Sequence, residues 1–223
     1  MDDDRDAPAA VRAQILATEH WSLLATRSVT WQEIFSRTGI FLTILSATVV
    51  ALSLVVQAAG FGTTFRVFAL VVLPIVLLVG LATFIRLVEA DIEDAWLVIG
   101  MNRLRHAYLE LAPDLDRYFV TGHHDDEAGM LQTYSFRRRV GVTHLLSGSP
   151  VIVAIIDAVL CGVFAAVACQ ALGAAAALQV VVGLVVTLGA GAALGGMFLG
   201  RVNRFRHGYR PRFPDDSRGE SGS

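Results

Sequence analysis

Asp157 is the residue of this sequence whose type and position most clearly predict chemistry. It lies seven residues after Pro150, in an apolar block (residues 150–170) that contains no basic residue. If the block is a membrane span, the carboxyl lies about 10 Å inside it, where an ionised side chain is costly unless it is paired, hydrated or protonated. Two interpretations stay open. Asp157 either accepts protons or attracts cations in a wet interior, or it is a protonated acid that hydrogen-bonds to a neighbouring helix.

A stripe of small and polar residues in another apolar block is the second candidate feature. Its members, which recur at steps of four and three, are Gly39, Thr43, Ser46, Val50, Ser53 and Gln57. This spacing places them on one face of a helix, with Ser46 at about the depth of Asp157 if both blocks enter from the same side. The sequence thus predicts a pore or proton site formed by Asp157, Thr43, Ser46, Ser53 and Gln57. The same stripe would also suit close helix packing, where hydroxyls and small residues are enriched.

Glycines in a further apolar block predict helix packing and not chemistry. Both Gly191-x-x-x-Gly195 and Gly196-x-x-x-Gly200 match the motif at which membrane helices approach closely. Gly189-x-Gly191 resembles part of a dinucleotide-binding loop, but no strand precedes it and its surroundings are apolar. We therefore predict a homo-oligomer that assembles through this block.

The segment His123-His124-Asp125-Asp126-Glu127 collects five potential metal ligands. Their spacing matches neither a zinc site nor a calcium-binding loop, and consecutive residues cannot all point at one ion. We interpret the segment as a solvated loop that leads into a helix with acids in its first turn. The sequence also lacks GxSxG, HExxH and P-loop patterns. No metal, no cofactor and no enzymatic activity is therefore expected.

All 18 basic residues are arginines, and several of them flank the apolar blocks. Such arginines favour contacts with anionic lipid headgroups. The predicted headgroup contacts are Arg137, Arg138, Arg139, Arg201, Arg204 and Arg206. The formal net charge is only −2, which argues against nucleic acid as a partner.

Four apolar blocks each have the length of a bilayer span. They cover residues 39–59, 67–85, 150–170 and 178–199, about 28 to 33 Å each as a helix. The composition is 54% hydrophobic and 17% charged, which excludes a disordered chain and an ordinary soluble domain. The links between the first two and the last two blocks are short. The predicted fold is therefore all-α, an integral membrane protein with four transmembrane helices arranged as two hairpins.

The arginine distribution predicts the orientation and the domain plan. The segments before the first span, between the two hairpins and after the last span contain 17 of the 18 arginines, which places both termini in the cytoplasm of a cell-membrane protein. The predicted segments are a cytoplasmic N-terminal amphipathic helix (1–38), hairpin one (39–85), a cytoplasmic helical segment (86–149), hairpin two (150–199) and a basic, partly disordered tail (200–223).

Two further patterns predict helices outside the spans. Residues 8–26 carry apolar side chains at helical spacing, and Thr30-Trp31-Gln32-Glu33 matches a capping box, so we expect an amphipathic helix that breaks near residues 27–29. No breaker follows the second span until Pro113. That span is therefore expected to continue as helix through residues 86–111.

Three stretches of the sequence carry a family resemblance. Residues 19–28 (EHWSLLATRS), 100–110 (GMNRLRHAYLE) and 118–127 (YFVTGHHDDE) resemble segments of uncharacterised multi-pass membrane proteins from high-GC Gram-positive bacteria. The resemblance would cover most of the chain. It implies a membrane location and a four-span architecture, and it implies no mechanism.

These observations predict a small, oligomeric, channel-like or ion-conducting membrane protein. In this hypothesis the first span and Asp157 line the path. The alternative is a non-conducting membrane scaffold or sensor, whose spans anchor it and whose cytoplasmic helices bind a protein partner.

Overall fold

The computed structural model describes residues 7–135 and 149–215, and within them the chain is helical, without a strand. The α-helices are α1 (Ala9–Ala59), α2 (Thr63–Leu111), α3 (Glu127–Ser135), α4 (Ser149–Ala171) and α5 (Ala176–Gly208), with a short 3-10 helix at Pro113–Tyr118. Within the described ranges, the four helices α1, α2, α4 and α5 are long and apolar enough to cross a membrane. The predicted all-α fold with four candidate spans is confirmed. The arrangement of the spans as two hairpins stays a prediction.

The chain forms two compact units. The polar unit comprises Met1–Gln32, Asp91–Thr143 and Phe205–Ser223, and the apolar unit comprises Glu33–Ala90 and His144–Arg204. Parts of all four candidate spans lie in the apolar unit, whereas the described residues 91–135 and 205–215 lie in the polar unit.

The helix α1 runs without interruption, so the predicted break near residues 27–29 is wrong. The Thr30 hydroxyl donates a hydrogen bond to the Thr26 carbonyl, 3.1 Å away, one turn back inside the helix. The Glu33 carboxylate accepts a hydrogen bond from Arg86 at 3.0 Å. Since neither glycine nor proline occurs between residue 9 and Gly39, no residue forces the helix to stop at the capping-box pattern.

The predicted extension of the second span is confirmed. The helix α2 continues past Pro74 to Leu111, and Pro113 begins the 3-10 helix that follows. The proline lacks an N–H group and disfavours helical backbone in the residue before it, which is a sufficient reason for the end at Leu111.

A buried carboxylate, Asp94 of α2, joins three helices of the polar unit. Its side chain is 3% exposed and lies 2.7 Å from Nε of Arg27 in α1. The indole N–H of Trp31 donates to the same carboxylate at 3.0 Å, and the hydroxyl of Tyr134 in α3 donates to it at 2.6 Å. One acid thereby accepts donors from both neighbouring helices, which fixes their register.

This environment also shifts the pKa values of two neighbours of Asp94. Burial, and then the negative charge of Asp94, raise the pKa of the Tyr134 hydroxyl well above its usual value. Burial and the same charge raise the pKa of Asp91 to about 6. At neutral pH the Tyr134 hydroxyl therefore keeps its proton and acts as a donor to Asp94.

The helices α4 and α5 of the apolar unit cross closely at two glycines, Gly162 and Gly183. A Cβ atom added to Gly162 of α4 would overlap Oγ1 of Thr187 and lie 2.5 Å from the carbonyl oxygen of Gly183, both in α5. The two backbones can therefore be this close only because a side chain is missing. Elsewhere in this unit, Ala69 and Leu73 of α2 form a small core with Val167 of α4.

Candidate functional site

Asp157 lies on α4 and is buried inside the apolar unit. The residue is 2% exposed, and neither carboxylate oxygen has a hydrogen-bond partner within the described parts of the chain. Its carboxyl group is seated against Gly80 of α2, because a Cβ atom built there would overlap Oδ1 and lie 2.7 Å from Cγ. A buried polar group without a partner is unusual and points either to a function or to a cost in stability.

Gly80 is the contact of Asp157 that the sequence analysis missed. It is a glycine inside the apolar run 67–85, a position at which a glycine weakens a helix by about 1 kcal/mol relative to alanine. A glycine at such an unfavourable position indicates that another residue packs closely against it, but the sequence does not show which residue that is. The structure assigns it to Asp157.

The polar stripe of α1 lies on the outer surface of the chain. Thr43, Ser46, Ser53 and Gln57 are all exposed. The Thr43 hydroxyl donates to the Gly39 carbonyl and the Ser53 hydroxyl donates to the Val49 carbonyl, each at 2.8 Å. These bonds one turn back satisfy the hydroxyl hydrogens and leave their oxygens available on the surface.

Within one chain the structure therefore does not bring Asp157 and the polar stripe together. Asp157 contacts α2 from the inside of the unit, whereas the four stripe residues face outward. Within the described residues of a single copy, Asp157 and the stripe residues therefore do not line a common space.

The predicted packing glycines are mostly open. A Cβ atom on Gly191 would contact Ala158 of α4 at 3.7 Å, but one on Gly195, Gly196 or Gly200 would meet no atom within 4 Å. Beside Gly191 and Gly195, an apolar groove of about 370 Å³ lies between α4 and α5, with Phe84 of α2 in its wall. The tight contact within the chain is instead the crossing at Gly162 and Gly183.

The predicted headgroup arginines are placed unequally. Arg201 lies 3.9 Å from Glu89, and Arg206 pairs with Glu127. Arg204 is exposed, and its Nε donates a hydrogen bond to the Gly200 carbonyl of the same helix at 3.2 Å. The predicted contacts Arg137, Arg138 and Arg139 lie outside the described residues. Lipid contacts of all six arginines stay a prediction.

Asp125 is the second buried acid of the polar unit, and it holds the residues after α5. It is fully buried and accepts hydrogen bonds from the backbone N–H groups of Arg212 at 3.0 Å and Phe213 at 2.8 Å. Nε of Arg103 and the hydroxyl of Tyr209 donate to the same carboxylate, each at 2.8 Å. We call residues 209–215, held in this way by Asp125, the tail latch.

The balance of burial and hydrogen bonding keeps Asp125 ionised. Burial alone would raise its pKa, but the two backbone donors, Arg103 and Tyr209 outweigh that effect and lower the pKa below its usual value. Burial, and then the hydrogen bond to Asp125, raise the pKa of Tyr209 to about 12, although Arg103 opposes this shift. At neutral pH the ionised Asp125 thus accepts hydrogen bonds from Arg103, from Tyr209 and from the two backbone N–H groups.

These contacts correct one expectation. The segment 123–127 does lead into a helix, α3, with Glu127 in its first turn, but Asp125 is buried and not solvated. In the tail, α5 extends to Gly208 and residues 209–215 dock on Asp125 and Asp126, while partial disorder of the tail stays a prediction. Residues 216–223 lie outside the described part of the chain.

Two imidazoles contact the docked Phe213, and a third, that of His123, lies next to them. The Phe213 ring stacks on His106 of α2 with the centroids 4.3 Å apart, and the Phe213 carbonyl oxygen lies 3.3 Å from Nδ1 of His124. The centroids of His123 and His124 are 4.2 Å apart, and that of His106 lies 6.4 Å from His123 and 6.1 Å from His124. Burial, and then the neighbouring His124, lower the pKa of His123.

The loop that carries His123 and His124 is positioned by Asn102, which is fully buried. Its amide donates to the His124 carbonyl at 2.8 Å, and its side-chain oxygen accepts from Arg105 at 2.7 Å and from Thr133 at 2.9 Å. The loop is therefore tied to α2 and to α3, so that the imidazoles keep fixed positions next to the tail latch.

A metal site is not evident among the described residues of the polar unit. Over residues 7–135 and 149–215, no group of three or more histidine, cysteine, aspartate or glutamate side chains has a geometry that could hold a metal ion. The features that remain for a function are the outward polar stripe of α1, the buried Asp157 and the tail latch. Comparison of the chain with protein-family models, with curated proteins and with solved structures finds no match.

Proposed function

We propose that the protein is a homo-oligomeric cell-membrane protein, with cytoplasmic termini, that conducts ions along a path lined by the α1 stripe of several copies. The stripe residues are Thr43, Ser46, Ser53 and Gln57. The observation that carries the proposal is their exposure on the outside of a single chain, within a helix long and apolar enough to cross a membrane. Lipid tails offer no hydrogen bonds, so an outward polar stripe favours either a neighbouring copy or water.

The proposal leaves Asp157 outside the path. Its side chain is buried against Gly80, and the groove of about 370 Å³ next to its helix is lined almost wholly by apolar side chains. A path within one copy would need polar groups that converge on a common space. The exposed stripe supplies such groups only when α1 helices of several copies face one another.

The test replaces Ser46 with leucine in protein reconstituted into liposomes. In an assembly of several copies, Ser46→Leu would place leucine side chains around the path. Because apolar side chains in a narrow path exclude water, the substitution is expected to lower ion flux about tenfold or more. The matched control is Ala47→Leu, which adds a larger apolar side chain at an exposed neighbouring position off the stripe. It should leave the flux unchanged.

Three results would contradict the proposal. They are an absence of flux in the wild type under voltage, salt or pH gradients, equal effects of Ser46→Leu and Ala47→Leu, and a monomer by native mass spectrometry in lipid. If Ser46→Leu prevents assembly, Ser53→Leu, at an exposed stripe position about two turns further along, provides a second variant of the same kind.

A non-conducting scaffold or sensor is the second candidate, and one surface of the polar unit favours it. Trp21 is 71% exposed, Val29 64% and Ile15 60%, all on the first part of α1. Large apolar side chains that are exposed together often mark a protein-binding surface. In this candidate, that surface binds a protein partner and the spans serve as an anchor.

Site-specific photocrosslinking in native membranes tests the second candidate. A crosslinker at Trp21 is expected to yield an adduct with a protein other than this chain. A crosslinker at Asp114, an exposed residue on the 3-10 helix, should yield none. Adducts only with further copies of this chain, or equal adducts from both positions, would contradict the scaffold.

A further inference from the structure

We propose that Arg105 of α2, with His20 of α1 beside it, binds an anion of the phosphate class at the surface of the polar unit. The proposal concerns the polar unit alone and is independent of ion conduction. It is carried by the guanidinium of Arg105, which is held in place at one nitrogen while its opposite edge has no partner among the described residues.

The Arg105 guanidinium is fixed through Nη1. This nitrogen donates to Oδ1 of Asn102 at 2.7 Å and to the carbonyl oxygen of Gly122 at 3.4 Å. Asn102 is fully buried, so the group that holds Arg105 is itself held in place. Over residues 7–135 and 149–215, Nε and Nη2 of Arg105 donate no hydrogen bond, and no carboxylate pairs with the guanidinium. The side chain is partly exposed, so an ion in solution can reach this edge.

Two other arginines of the polar unit show what the same edge binds when an acid is present. Nε and Nη2 of Arg27 donate to the two oxygens of Asp94 at 2.7 and 3.3 Å. Nε of Arg103 donates to Asp125 at 2.8 Å. The two N–H groups of this edge are parallel, so that they match two oxygens of one carboxylate or phosphate. Arg105 presents the same pair of donors without an acid.

The surroundings of Arg105 add positive charge. Burial, and then the nearby charge of Arg27, lower the pKa of Arg105 below its usual value. A guanidinium stays protonated in proteins even so, and Arg105 is therefore a partly buried cation without a counter-charge among the described residues. Such a cation is costly to remove from water, and an anion bound at its open edge would lower that cost.

His20 favours a phosphate group over a single carboxylate. Its ring faces that of Tyr108 with the centroids 6.1 Å apart, and burial, followed by the charge of Arg105, lowers the pKa of His20. One carboxylate would match the charge of Arg105 alone. A phosphate ester carries a charge of about −1.5 to −2 at pH 7, which matches Arg105 together with a protonated imidazole. A bound phosphate would offset the charge of Arg105 and thereby raise the pKa of His20.

Binding of inorganic phosphate to the full chain in phosphate-free detergent micelles tests the site. Phosphate is added at constant ionic strength, and the imidazole NMR signal of His20, assigned by comparison with His20→Gln, is followed against pH. We expect saturable binding with a dissociation constant of about 1 mM or lower, and a higher pKa of His20 in the bound state. If Arg105 only supports the fold, phosphate should leave the His20 signal unchanged.

Three arginine variants locate the binding. Arg105→Gln removes both the charge and the paired donors, so it should weaken phosphate binding about tenfold or more. Arg105→Lys keeps the charge but lacks the paired donors and should also weaken binding, which supplies the comparison if Arg105→Gln does not fold. The matched control is Arg117→Gln, which removes an exposed arginine of the 3-10 helix and should leave binding unchanged.

A second experiment identifies the source of the phosphate group. The same His20 signal is followed in phosphatidylcholine nanodiscs with and without phosphatidic acid, in the absence of free phosphate. A response to inorganic phosphate supports a site for a soluble phosphate compound, and a response to phosphatidic acid alone supports a site for a lipid headgroup. The proposal is overturned if neither probe changes the His20 signal, or if Arg105→Gln and Arg117→Gln weaken binding equally.

Discussion

Asp94→Ala is expected to lower the free energy of unfolding of the polar unit by about 3 to 5 kcal/mol, the usual cost of removing one partner of a buried charge pair. The variant would leave Arg27 without its carboxylate, since the guanidinium lies 2.7 Å from Asp94 with a side chain only 26% exposed. It would also remove the acceptor of the Trp31 and Tyr134 donors. Three helices would lose their common contact.

The measurement is a denaturant titration in detergent, followed by tryptophan fluorescence, since Trp31 itself contacts Asp94. Glu19→Ala is the matched control because it removes an acid from an exposed position of α1, one of the three helices that Asp94 joins. It should change the free energy by no more than about 0.5 kcal/mol. A loss below about 1 kcal/mol for Asp94→Ala would contradict the role assigned to this carboxylate.

Tyr134→Phe provides an intermediate step in the same series. It removes only the hydroxyl that donates to Asp94 at 2.6 Å and keeps the ring. A hydrogen bond to a charged acceptor contributes about 1.5 to 3 kcal/mol. Tyr134→Phe should therefore lower the free energy of unfolding by less than Asp94→Ala does. Equal losses in the two variants would mean that Arg27 and Trp31 add nothing to the Asp94 contact.

The α-helices could be predicted from the sequence because they depend on local information. An apolar run of bilayer length and the absence of a breaker between residue 86 and Pro113 are sufficient to predict the spans and the long α2. The predicted break in α1 failed for a related reason. A capping-box pattern can cap a helix only where the chain leaves helical backbone, and nothing in residues 9–38 makes it do so.

The candidate sites could be predicted only in part, because their partners are distant in sequence. Arg27 lies 67 residues from Asp94, and Arg212 lies 87 residues from Asp125. A single sequence gives no signal for such pairs, and a run of histidines and acids at residues 123–127 is typical of a solvated loop. Asp157 was recognisable as an acid in an apolar block, whereas its contact with Gly80 required the packing of α2 on α4.

Gly80→Ala is expected to destabilise the apolar unit by about 1 to 3 kcal/mol, the usual cost of overpacking. The added methyl group would overlap the Asp157 carboxyl, whose Cγ lies 2.7 Å from the new atom position. Gly189→Ala is the matched control. It replaces another glycine within a candidate span, where no atom lies within 4 Å, and should stabilise by about 0.5 to 1 kcal/mol through helix propensity.

The double variant with Asp157→Ala tests whether that one contact is responsible. Removing the carboxyl makes room for the methyl group, so Gly80→Ala should cost little in this background, with a coupling energy of about 1 to 3 kcal/mol. Unfolding in mixed micelles titrated with dodecyl sulfate supplies all four free energies of the cycle. Additive effects of the two substitutions would show that the clash lies elsewhere.

Asp157→Ala alone decides what kind of residue Asp157 is. Both oxygens lack a hydrogen-bond partner within the described residues, so the substitution should stabilise the protein by about 1 kcal/mol, less than the full penalty of a buried unpaired polar group because a small cavity remains. A stabilising result would mean that Asp157 lowers the free energy of unfolding, as expected for a proton-binding group and not for a packing contact. A loss of about 1 kcal/mol or more would instead mean that a polar partner, such as water or a neighbouring copy, bonds this carboxyl in the membrane.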